Sequence, residues 1–270
     1  MMFDETNETG YFTPGSGIVA LTPITYDLGS GSILDADVIF NGRDYAWSTD
    51  GTLNTFDVQD VATHEIGHFI GLDHAPSTAN SMWPYVSYNQ WLHRSLTLDD
   101  RSGAIAVAAQ GTPSLLKGAV RRAGNPVAGA SVCALRADDG RLTATALSGA
   151  DGTFQIKGLP AGDYRIYACP LEGGMSVQNL TGDAGVNTAF APGFYGGFAA
   201  PTSFPVVSGT DLQCGNLNVP ADSPIVETSS APVLMRRGQA NYVTVFGAGF
   251  TADAMDMSVK TPYLSLADEQ

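Results

Sequence analysis

The chain has 270 residues, 44% of them hydrophobic and 15% charged, which is a globular composition with room for more than one domain. Its net charge of −14 and pI near 4.4 repel nucleic acid and anionic membrane surfaces, which argues against both as partners. No run of about eighteen apolar residues occurs, so no membrane span is expected.

The 31 glycines and 15 prolines point to many turns and to β-rich structure. The start, Met1-Met2-Phe3-Asp4-Glu5-Thr6, lacks the basic and apolar segments of a signal peptide. That leaves a cytosolic protein or a piece of a longer one. Cys133, Cys169 and Cys214 are an odd set, so at least one is unpaired within the chain.

Residues 4–16 are polar and Gly-rich and read as a loop. Gly17 to Ile24 is β-prone, with Pro23 marking an edge strand or a strand end. Tyr26 to Ser32 is a turn cluster. Leu34, Ala36, Val38 and Phe40 then alternate with Asp35, Asp37 and Ile39, predicting one half-buried strand that ends at Asn41-Gly42. Trp47 to Thr55 is again loop.

Asp57 is placed to cap a helix from about Val58 to Ile70, with Asp60 three residues on favouring the N-terminal dipole. Val58, Ala62, Ile66 and Phe69 are the expected core face, and Val61, His64, Glu65 and His68 the opposite one.

Three of the four histidines fall within twelve residues here. His64 and His68 are one helical turn apart, so their imidazoles can converge on one zinc ion. Glu65 lies beside them, within reach of a water on that ion. Gly71 can take positive φ, end the helix and let His74 return as a third ligand. A bare HExxH arises by chance in unrelated proteins, but HExxHxxGxxH fixes five residues, including a glycine where a turn is needed.

Thr97-Leu98-Asp99-Asp100 resembles a capping box with Asp in the place of Glu or Gln, opening an Ala-rich helix to about Ala109. Gly111-Thr112-Pro113 reads as a linker. Beyond it, Lys117–Val120, Ala130–Leu135, Thr153–Ile156 and Asp163–Cys169 are short strands separated by turn signals, as in an antiparallel β-sandwich. Cys133 and Cys169 fall on two of these strands, where either a disulfide or two buried thiols would fit. Pro220 to Pro224 suggests a second linker, and Tyr242 to Phe250 a strand with a Gly-rich end.

These motifs resemble a family. His64 to His74 is similar to the zinc signature of metzincins, and Met82, eight residues after His74, to their Met-turn. Asp35 to Asn41 and Leu96 to Ile105 are similar to the strand before the helix and the final helix of matrixins of the bacterial type. The resemblance covers roughly residues 15–110. Residues 116–220 resemble carboxypeptidase regulatory-like, transthyretin-type sandwiches, through Gly129–Val132, Gly152–Phe154 and Leu159–Tyr164. Residues 225–250 resemble the start of an Ig-like IPT/TIG domain.

The resemblance implies an α+β metzincin-like catalytic domain at 1–111, N-terminally incomplete because the family has a helix and further strands before this point. An all-β sandwich at 115–220 and a partial Ig-like domain at 224–270 would follow. It also implies a zinc endopeptidase that hydrolyses extracellular proteins. His64, His68 and His74 would be the metal ligands and Glu65 the general base that takes the proton of the attacking water.

Met82 would form an apolar floor, or equally an ordinary core residue. Pro84 would line the substrate pocket, with peptide aligned along Ala20 and Leu21. Two departures are Trp83 and Val86, each at a position where the family has tyrosine. Asp100 would bond the Met-turn backbone. Asp99 would either anchor a processed N-terminus or cap its helix. Asp73 reads as a turn residue, and His93 as a surface residue.

One catalytic zinc is the expected cofactor. Calcium at Asp27, Asp35 and Asp37 is a further reading, set against simple solvation. A monomer acting on a protein or peptide substrate is expected, secreted or at the cell surface. The alternatives are a non-catalytic surface or adhesion protein carrying an incomplete protease module, and a cytosolic zinc hydrolase.

Overall fold

The computed structural model describes residues 1–77, 80–108, 113–171, 189–197 and 200–220, together with the backbone of 226–228 and 245–247. The described residues are mostly β, with two α-helices, α1 (Val58–Phe69) and α2 (Leu98–Ala108).

The N-terminal part is built on a three-stranded sheet in the order β1-β5-β2. Strand β1 (Met2–Asp4) runs parallel to β5 (Ile39–Asn41), and β2 (Ala20–Leu21) pairs antiparallel on its other side. The residues expected to form one strand over 34–40 form two. Strand β4 (Ile33–Ala36) folds back on β3 (Ile24–Tyr26) as an exposed hairpin, while β5 is buried throughout. The break falls at Asp37-Val38, where the Asp37 N–H donates to the Pro23 carbonyl at 3.2 Å and turns the chain out of register. The loops read over 4–16 and 47–55 each give up a short stretch to pairing, at Asp4 in β1 and at β6 (Trp47–Ser48) beside β7 (Phe56–Asp57).

Helix α1 lies on this sheet through Val61, which packs with Val38 and Phe40. Phe40 also stacks on Phe3 at 4.8 Å between ring centroids and meets Trp47 edge-on at 5.0 Å. Burying a side chain of that size contributes about 2–3 kcal/mol.

The expected core face of α1 divides: Ala62 packs against this cluster, but Ile66 and Phe69 do not. Ile66 and Phe69 are 46% and 45% exposed, whereas Val61 is 5% exposed and Glu65 is buried. Periodicity marks an apolar stripe, but the neighbouring sheet lies over the face that carries Val61 and Glu65.

The helix ends follow local chemistry. The Asp57 carboxylate accepts from the Asp60 N–H at 2.8 Å. Gly71 has φ +97°, its N–H bonds the His68 carbonyl, and the Leu72 N–H bonds the Gly67 carbonyl, both at 2.9 Å. That pair of bonds is a Schellman stop. The Thr97/Asp100 capping box also forms reciprocally, with Thr97 N–H to Asp100 Oδ2 at 2.7 Å and Asp100 N–H to Thr97 Oγ1 at 3.3 Å.

Residues 115–220 fold as two facing sheets around one core. One holds β12 (Thr153–Lys157), β8 (Leu115–Arg122) and β16 (Asp211–Asn218), with β9 (Asn125–Pro126) turned back on β8. The other runs β11-β10-β13-β14, with β15 (Ser203–Val206) also pairing β13. Its members are β10 (Ser131–Arg136), β11 (Leu142–Leu147), β13 (Gly162–Cys169) and β14 (Gly193–Phe194).

Leu116, Val120, Val132, Ile156, Ile166 and Leu217 fill the space between the sheets. Cys133 and Cys169 lie together, buried, on the other face of β10 and β13, and neither they nor Cys214 form a disulfide. Gly111 and Thr112 of the expected linker lie outside the described residues, as does most of 221–270. Within that last segment β17 (Val226–Thr228) and β18 (Val245–Gly247) pair antiparallel.

Candidate metal centre

Helix α1 and the reversal at Gly71 bring His64, His68 and His74 together. His68 Nε2 lies 3.1 Å from His64 Nε2 and 3.3 Å from His74 Nε2. The three ligand atoms fall within 4.8 Å of one another, and among the described residues this is the single group of three or more His, Cys, Asp or Glu that could hold an ion. A zinc–nitrogen bond of about 2.05 Å in tetrahedral geometry places ligand nitrogens about 3.3 Å apart, so the donor set fits zinc.

Backbone carbonyls fix which nitrogen faces the ion. His64 Nδ1 is 2.7 Å from the Ser81 carbonyl oxygen, and His68 Nδ1 is 2.9 Å from that of Leu72. In each pair the ring N–H donates, which leaves the Nε2 lone pair free for a metal. Burial pushes the His64 imidazole down to about 3 and also lowers His68, the neighbouring histidines adding to both effects. Both rings are therefore neutral at ordinary pH, which is the form that ligates.

Glu65 is buried beside the triad. Burial raises its carboxyl to about 7, against the opposing hydrogen bond from Thr22. The Thr22 hydroxyl is 2.6 Å from Glu65 Oε2. A cation in the site would favour the ionised form and draw this value down.

Triad and Glu65 open on a cleft of about 530 Å³. Ala20 and Leu21 form one wall, Pro84 and Val86 the other. Strand β2 is last in its sheet, so one of its sides pairs with β5 and the other is left to the cleft.

Met82 is 3% exposed, and its sulfur lies so close to Gly67 that a Cβ there would overlap it. The loop is tied to the third ligand's neighbour, the Ala75 N–H donating to the Met82 carbonyl at 2.8 Å. Asp73 acts as a turn residue, accepting from the His74 N–H at 2.8 Å.

Two readings change. His93 is buried, 3% exposed, and lines the cleft. Its N–H donates to Asp60 Oδ1 at 2.6 Å, and its Nδ1 lies 3.4 Å from Asp60 Oδ2. Arg94 beside it holds Asp57 through Nε at 2.8 Å. The turn Leu92–Arg94 thus clamps the start of α1, a contact 33 residues away that no local pattern records. Asp99 lies in the first turn of α2, as a helix-end carboxylate would, and also has a partner far along the chain. It accepts from Thr145 on β11. Asp100 does reach the Met82 loop, through the Ser81 N–H at 3.4 Å.

Sequence reasoning also missed Thr22 and Ser81. Ser81 acts through a carbonyl, which every residue has, and for Thr22 the sole local sign is its place before Pro23 at a strand end. Asp27 accepts from Gly29 and Ser30 within its own turn, all through Oδ1.

Residues 12–107 match the sequence profile of the Matrixin family, and residues 116–190 that of the carboxypeptidase regulatory-like domain. No curated protein matches the chain. Solved structures with a likeness include the TIE protein of Bacillus anthracis, 12% identical over 41% of this chain and 17% of its own, with a TM-score of 0.25. The major pilin subunit BcpA of Bacillus cereus is 13% identical over 41% of this chain and 31% of its own, with a TM-score of 0.27. The 5-hydroxyisourate hydrolase of Klebsiella pneumoniae is 22% identical over 40% of this chain and 87% of its own, with a TM-score of 0.23. TM-scores this low carry no argument. The stretch that matches the Matrixin profile contains the three histidines that could hold a metal.

Proposed function

We propose that the chain is a zinc-dependent endopeptidase, with a matrixin-like catalytic part at 1–111, a carboxypeptidase regulatory-like sandwich at 115–220 and an Ig-like segment from 224. The observation that carries this is the convergence of three Nε2 atoms at the floor of a cleft that has Glu65 beside them and a strand edge along one wall.

His64, His68 and His74 would hold the ion, with the Ser81 and Leu72 carbonyls setting the orientation of the first two rings. Zinc held there would supply a Lewis acid for the scissile carbonyl and would make the attacking water more acidic. Glu65 takes the proton of the attacking water on the carboxylate oxygen that Thr22 leaves free, then gives it to the leaving amine. The free side of β2 pairs with an extended peptide, so backbone hydrogen bonds at Ala20 and Leu21 bind it with little sequence demand. Pro84 and Val86 shape the pocket for one substrate side chain.

The natural substrates are then proteins outside the cell or at its surface. No helix among the described residues is long and apolar enough to cross a membrane.

Replacing Glu65 by glutamine tests this. Glu65→Gln is expected to keep zinc at the wild-type stoichiometry and to lose casein cleavage by about 100-fold or more, the range for removing a general base. Unchanged turnover in Glu65→Gln rejects its role as base. A wild-type chain that binds zinc without cleaving any protein favours the non-catalytic surface protein instead.

A further inference from the structure

We propose that the β-sandwich is a functional part of the metal centre, and that Thr145 is the positioning residue through which it steadies His64. This rests on the metal-centre reading above. Strand β11, which carries Thr145, is the last strand of its sheet and lies against α2.

The Thr145 hydroxyl donates to Asp99 Oδ1 at 2.9 Å, and its backbone N–H donates to the same oxygen. With its proton so used, the hydroxyl oxygen accepts from Asn80 Nδ2 at 3.4 Å. Asn80 is 1% exposed. The next residue, Ser81, offers the carbonyl that accepts the His64 Nδ1–H at 2.7 Å, and its own N–H reaches Asp100 beside Asp99. Two adjacent loop residues and two adjacent helix residues therefore meet in one frame, with a sandwich hydroxyl at one end and a ligand imidazole at the other.

The seating of α2 on the sandwich is specific. Ser102 Oγ donates to the Thr143 carbonyl at 3.2 Å. Gly158, at φ +74°, lies so close to the Ser102 carbonyl that a Cβ would overlap it. The sandwich approaches α2 at backbone distance, which a loose tether between independent domains would not require.

Metal affinity depends on ligand orientation being held within a small angle, and partners one bond beyond the ligands are worth about 10–100-fold in affinity. Thr145 acts one link further out, so about a fivefold effect is expected.

The test measures zinc affinity of the full chain by competition with a chromophoric chelator. Thr145→Val keeps the shape and the backbone N–H but removes the hydroxyl, and is expected to bind zinc about fivefold more weakly. Thr145→Ser restores the hydroxyl and should recover wild-type affinity. Val127→Ala loosens the sandwich core away from Asp99 and should leave affinity unchanged. The His64 ring N–H, followed by NMR, should exchange faster with water in Thr145→Val alone.

Equal affinity of Thr145→Val and wild type overturns the proposal, and so does an equal loss in Val127→Ala, which would mark general loosening. A wild-type chain without zinc affinity, or His64→Asn and His68→Asn variants that keep it, overturns the metal-centre reading as well.

Discussion

Thr22 and Glu65 share one hydroxyl proton. Thr22 Oγ1 lies 2.6 Å from Glu65 Oε2 and 3.1 Å from the Glu65 carbonyl oxygen, so the end of the edge strand grips both the side chain and the backbone of the candidate base. The bond opposes burial, which alone would raise the carboxyl further.

Thr22→Val removes that donor and leaves shape almost intact. The Glu65 carboxyl rises, so the acidic limb of the pH profile of kcat/KM moves to higher pH. A lost hydrogen bond to a charged group is worth about 1.5–3 kcal/mol, hence a drop of roughly tenfold or more in kcat/KM below neutrality. A profile superimposable on the wild type would show that the bond does not set the base.

Gly67→Ala puts a methyl group where Met82 sits. Overpacking costs about 1–3 kcal/mol, partly offset by the better helix propensity of alanine, worth about 1 kcal/mol. Urea unfolding should show a net loss of about 1 kcal/mol. In a Met82→Ala background the same change should become neutral or favourable, since the clash is gone. Additive effects of the two substitutions would mean that Met82 and Gly67 do not press on one another.

Asp99 should make stability fall as pH rises. Burial pushes its carboxyl up to about 7 from 3.8, with the Asp100 charge adding and the Thr145 donors opposing. A folded pKa above the unfolded one means that the folded state holds the proton more tightly. The contribution is complete below about pH 4 and is lost as pH climbs through about 7. Asp99 is half-buried, so solvent screening reduces the full effect to about 2 kcal/mol or less. The stability of the wild type relative to Asp99→Asn, which has no titrating group there, should therefore fall between pH 4 and 7, read from thermal unfolding. Comparing the two cancels the opposite trend of His64 and His68, whose lowered values make acid destabilising. A gap that is constant with pH would place the Asp99 titration at its ordinary value.

Whatever depends on neighbours in the chain was legible from the residues alone. The Asp57 cap, the one-turn spacing of His64 and His68, the stop at Gly71 and the Thr97/Asp100 capping box each involve groups within five residues of one another. Short-range hydrogen bonds decide them, so the helix bounds and the candidate ligand set follow. Strand β11 was not read from the sequence, because Leu142–Leu147 alternates threonine with alanine and so carries no bulky apolar face to mark it.

The tertiary structure decided what depends on distant partners. Helix α1 turns Ile66 and Phe69 outward because the sheet lies against Val61. His93 is buried because Asp60, 33 residues away, holds it. Asp99 finds Thr145 across 46 residues. Periodicity along a chain tells which side chains share a face, but packing chooses which face is covered. The sequence by itself therefore determined a set of three imidazoles and a carboxylate with a shared geometry, and the fold alone determined what holds them in place.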